Sequence, residues 1–79
     1  MSSRPRLTLV KRTAVIKTIK QAARAQGLDF QQVELSNHTG IIVGDFRSTI
    51  GRHREIDDIT VGKFYKQFEG VLGEGWWKK

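Results

Sequence analysis

Cysteine is absent from the 79 residues. That removes disulfides and thiolate metal centres, and two histidines alone make a poor zinc cage. Proline occurs once, and no apolar run exceeds four residues, so nothing reads as a membrane span or a secretory leader. The P-loop, GxGxxG, HExxH and the nucleophile elbow are missing, as is any paired-carboxylate signature. Acid is missing from the first 28 residues, which nonetheless hold seven bases. The chain is therefore expected to be one small, soluble, cytoplasmic domain with no metal and no cofactor.

Charge is unevenly placed. Residues 1–28 carry +7, whereas residues 29–79 hold seven bases and eight acids. A polyanion is the natural partner for such a front half. Nucleic acid ranks ahead of a merely solubilising surface, although charge alone does not separate it from anionic lipid.

Residues 1–12 contain the proline and four of the front-half bases, and are expected to be a loose basic segment. Leu7, Leu9 and Val10 could instead add a short strand or start the first helix early. Residues 13–26 read as an amphipathic helix, with Thr13 as N-cap and Gly27 ending it. Val15, Ile16, Ile19, Ala22 and Ala23 share one arc about 120° wide. Lys17, Lys20 and Arg24 share a separate arc of about 60°.

Three short strands follow, over 30–35, 38–43 and 46–50, with turns at Asn37 and at Gly44-Asp45. Spacing this short demands an antiparallel meander. Residues 51–55 read as a loop. A second helix is expected near 60–72, introduced by Asp57 and Asp58, with Gly70 weakening its last turn and residues 73–79 forming a tail. The expected architecture is α+β: a two-layer α-β-β-β-α sandwich, its three-stranded antiparallel sheet covered on one face by both helices.

Three features could carry chemistry. His38 opens a β-branched strand, and histidine takes and gives protons near neutrality. In RNA cleavage it could deprotonate a 2′-hydroxyl or protonate the leaving 5′-oxygen without a metal. A lone strand histidine is more often a surface residue, so these residues alone do not make His38 catalytic. His53 lies between Arg52 and Arg54, whose charges disfavour its imidazolium form. Phosphate contact is expected there rather than proton transfer. Trp76 and Trp77 could stack on bases, meet a partner or fold back over the helices, with packing or partner contact favoured.

Across residues 13–72 the order of these features resembles the HicA family, the mRNA-interferase half of the HicAB toxin–antitoxin systems. The first helix ends at Gly27-Leu28, as the family's opening helix ends in glycine plus an apolar residue. Ser36-Asn37-His38 falls where the family has Gly-Ser-His, and Gly51-Arg52-His53 where Pro-x-His is common. Ile59-Thr60-Val61-Gly62-Lys63-Phe64 is similar to the Leu-Lys-Pro-Gly-Thr-Leu opening of the last helix. The resemblance implies a double-stranded-RNA-binding-like fold and metal-independent endoribonuclease cleavage of mRNA centred on His38. It also implies a HicB-like antitoxin as partner. RNA would then be held by Lys17, Lys20, Arg24, Arg47, Arg52, His53 and Arg54, through phosphates and 2′-hydroxyls more than base identity. The alternatives are an RNA-binding module of the same fold without catalysis and, more weakly, a protein-interaction domain.

Overall fold

A computed structural model describes residues 8–78. The first seven residues of the expected loose segment, and Lys79 of the tail, lie outside the described residues. Within them the order is β1 (Leu9–Lys11), α1 (Arg12–Ala25), β2 (Phe30–Glu34), β3 (His38–Val43), β4 (Phe46–Gly51), β5 (Glu55–Asp57), α2 (Asp58–Gln67) and α3 (Glu69–Leu72). The class is α+β: a three-stranded antiparallel sheet in the order β2-β3-β4, a separate two-stranded β1-β5 sheet, and helices.

The three-stranded sheet follows the expected meander. At the β3–β4 connection Gly44 has φ +59°, and no non-glycine residue among the described residues has positive φ, as in a type II′ turn. Register places Thr39, Ile41 and Val43 of β3 beside Ile50, Ser48 and Phe46 of β4, all on one face. Thr39, Ile41 and Val43 are fully buried there under Val15 and Ile19 of α1 and Phe68. Phe68 meets Phe46 and Phe64 edge-on, with ring centroids 5.0 and 5.2 Å apart. The opposite face carries His38, Gly40 and Ile42 between Val33 of β2 and Arg47 and Thr49 of β4. Val33 and neighbouring Leu35 stay exposed.

α1 ends as its sequence implies. Gly27 has φ +72°, Gly27 N–H donates to Arg24 C=O at 3.0 Å and Leu28 N–H to Ala23 C=O at 2.8 Å, a Schellman motif. Its start differs. Lys11, not Thr13, is the N-cap, with no side-chain cap. The reason is β1: strand runs directly into helix, and Arg12 N–H donates instead to Arg54 C=O at 3.0 Å. The reverse contact also exists, since Asp58 N–H at the head of α2 donates to Thr8 C=O at 2.9 Å. Leu9–Lys11 thus leave the loose segment, and Glu55 leaves the loop, because each strand supplies the other's ladder.

Asp57 caps α2, accepting from Thr60 N–H at 2.9 Å and from the Thr60 hydroxyl at 2.8 Å. These bonds hold its carboxyl below the ordinary value. The single helix expected over 60–72 is broken at Phe68, whose N–H donates to Tyr65 C=O three residues back. The tail folds back. Trp76 Nε1–H donates to Tyr65 C=O at 2.9 Å, and both tryptophan rings pack near the Tyr65 ring. No helix among the described residues is long and apolar enough to cross a membrane.

Candidate nucleic-acid interface

One end of the sheet gathers most of the chemistry-bearing groups, because β2 finishes there, β3 begins there, β4 finishes there and α1 starts beside them. Their meeting point is the Glu34 carboxylate. It accepts from the Thr39 hydroxyl at 2.8 Å and from Gln32 Nε2 at 2.7 Å. Arg52 Nη2 stands 2.9 Å from it and Arg12 Nη2 3.8 Å. Arg12 also donates to the Thr39 hydroxyl, and its Nε–H donates to Gly51 C=O at 3.2 Å. These partners, led by the Gln32 and Thr39 bonds, hold the Glu34 carboxyl below its ordinary value.

Two open basic grooves meet at Arg12. The first, about 450 Å³, runs between α1 and Gln32 and is lined by Lys17, Lys20 and Arg24. The second, about 430 Å³, holds Lys11, Arg52, Arg54 and Glu55 at the head of α1. Arg12 and Thr13 line both, so the cations form one strip from Arg24 to Arg54. Both ion pairs among the described residues end on Glu34. Lys17, Lys20, Arg24 and Arg54 thus have no acidic partner among the described residues, and Lys17, Arg24 and Arg54 are exposed while Lys20 is half-buried.

The expected phosphate-binding residues therefore divide. Lys17, Lys20, Arg24, Arg52 and Arg54 share the strip. Arg47 lies on the uncovered sheet face, with Val33, Leu35 and Ile42. His53 lines a different hollow, with Thr49, Lys63 and Gln67. His38 is exposed at the strip's end of the sheet, opposite Gly51 in the β3–β4 register. The hairpin that carries it is fastened by Leu35 N–H donating to His38 C=O at 2.8 Å and by Arg52 donating to Leu35 C=O at 2.6 Å. No group of three or more His, Cys, Asp or Glu side chains that could hold a metal ion occurs among the described residues.

Sequence reasoning missed Lys11, Arg12, Thr39 and Glu34. Strand alternation places Glu34 on the same face as Phe30, which was a usable signal. Its arginine partners come from elsewhere in the chain, and no local pattern announces them. No family model matches this chain, and neither a curated protein nor a solved structure matches it.

Proposed function

We propose that this chain is a HicA-like toxin: an RNA-binding domain of double-stranded-RNA-binding type that cleaves mRNA in the cytoplasm without a metal and is silenced by a HicB-like antitoxin. The observation that carries the reading is the strip of cations from Arg24 to Arg54, which leads to the sheet end where His38 is exposed. Lysines and arginines along one helix face, without an acidic partner among the described residues, suit a phosphodiester backbone, which they would bind by charge rather than by base.

In this reading His38 removes the proton of a 2′-hydroxyl, and the freed oxygen attacks the neighbouring phosphorus. Arg52, tied to the hairpin that carries His38, stabilises the charge that builds on the phosphorane. Incubating the protein with long single-stranded RNA in EDTA tests this. Fragments are expected from the parent and none from His38→Ala, with RNA affinity nearly unchanged. A fully active His38→Ala protein would end the reading.

A second reading keeps the RNA and drops the cleavage. It is favoured by the exposure of His38 at the open start of β3. Intact RNA in both lanes, with a gel shift that fades as salt is added, would establish that binding module.

A further inference from the structure

The geometry points to His53 as the general acid that completes RNA cleavage opposite His38. This rests on the ribonuclease reading above and adds what that reading leaves open. When a 2′-oxygen attacks phosphorus, one proton leaves the 2′-hydroxyl and one must arrive at the departing 5′-oxygen. His38 can perform only one of these transfers in a single displacement.

His38 and Gly51 are cross-strand partners, so side chains at the two positions share the uncovered face. Cβ atoms in such a pair stand about 5 Å apart. Position 51 has no side chain, and His53 takes its place. A Cβ built on Gly51 would lie 3.2 Å from Cδ2 of His53 and 3.7 Å from its Nε2. The imidazole of His53 thus lies against the space that a side chain at Gly51, the cross-strand neighbour of His38, would fill, and both histidines are exposed.

The flanking arginines turn elsewhere. Arg52 reaches Glu34 and Leu35 C=O, and Arg54 lines the groove with Lys11. His53 instead lines the hollow beside Lys63. The loop therefore separates two tasks, with guanidiniums on the phosphate strip and the imidazole at the β4 edge, between Gly51 and the hollow that Val61 and Phe64 of α2 help to line.

The step balances without a metal or any co-reactant. Neutral His38 accepts the 2′-hydroxyl proton, the 2′-oxygen bonds to phosphorus, and the P–O5′ bond breaks. Protonated His53 gives its proton to O5′. The products are a 2′,3′-cyclic phosphate and a 5′-hydroxyl.

The test compares ordinary RNA with RNA whose scissile 5′-oxygen is replaced by sulfur, because a thiolate leaves without being protonated. His53→Ala should slow cleavage of ordinary RNA at least about 100-fold. It should cleave the sulfur-linked substrate at the parent rate, while His38→Ala fails on both. That rescue requires a folded protein, so it excludes simple structural damage. Equal loss on both substrates, or no loss on either, would overturn the assignment to His53. If the parent cleaves neither substrate, the ribonuclease reading falls as well.

Discussion

Glu34 Oε1 and Arg52 Nη2 stand 2.9 Å apart, joining the end of β2 to the loop that follows β4. The same carboxylate holds the Thr39 hydroxyl and faces Arg12, so one acid organises the end of the sheet where the basic grooves converge.

This arrangement makes the fold acid-sensitive in a defined direction. The folded-state value of the Glu34 carboxyl lies below the ordinary 4.5, so its contribution is present above that pH and fades as pH falls through the folded value. Glu34→Gln should flatten the acid limb of a plot of denaturation midpoint against pH. The same substitution should tighten RNA binding a few-fold at low salt, because the two guanidiniums lose their internal competitor. Unchanged acid sensitivity would remove Glu34 from this role.

The strip along α1 makes a prediction in salt. Lys20→Ala combined with Arg24→Ala removes two cations, and each phosphate contact on a single strand contributes about 0.7 to the slope of log affinity against log salt. The double variant should therefore lose about 1.4 from that slope in fluorescence anisotropy titrations. Lys66→Ala, on α2, should leave the slope as it was. A larger loss from Arg47→Ala than from the double variant would put the RNA on the uncovered sheet face.

Phe68 is fully buried, and its ring contacts join β4 to α2. Phe68→Ala should cost about 3–5 kcal/mol. For a chain of this size the whole folding free energy is of order 4–12 kcal/mol. Urea titration should find the variant at the edge of unfolding, while Ile19→Val costs only about 1 kcal/mol. A Phe68→Ala midpoint close to the parent's would mean that the helix junction is not central to the core.

Gly27 offers a test of backbone conformation alone. A Cβ there would meet no atom within 4 Å, yet φ is +72°. Gly27→Ala should cost about 1–2 kcal/mol from the left-handed conformation itself. A neutral result in thermal denaturation would show that α1 can end without the Schellman geometry.

The elements with a clear period were legible in the sequence. Val15, Ile16 and Ile19 marked the inner face of α1, and the alternation of Thr39, Ile41 and Val43 marked that of β3. The β1-β5 ribbon was not, because three residues carry no usable period and its pairing partners lie far apart in the chain. The break at Phe68 was hidden for a related reason. Val71 and Leu72 continue an apolar pattern that a single straight helix would also satisfy. Within the candidate site, the bases of the α1 stripe could be read locally. The Arg12–Glu34–Arg52 cluster depends on the final arrangement of four elements, and only its charges are visible beforehand.

The exchange of backbone bonds between Arg12 and Arg54, and between Asp58 and Thr8, bears on how the chain assembles. Each long helix has its first N–H satisfied by the strand segment that leads into the other one. The start of each helix is thus tied to the other half of the molecule, by pairings that span 42 and 50 positions of the chain. Slow, long-range closure of this kind sets folding speed. Trimming the residues ahead of Arg12 would thus loosen the second helix as directly as the first, and would show as faster unfolding of the whole domain rather than fraying at one end.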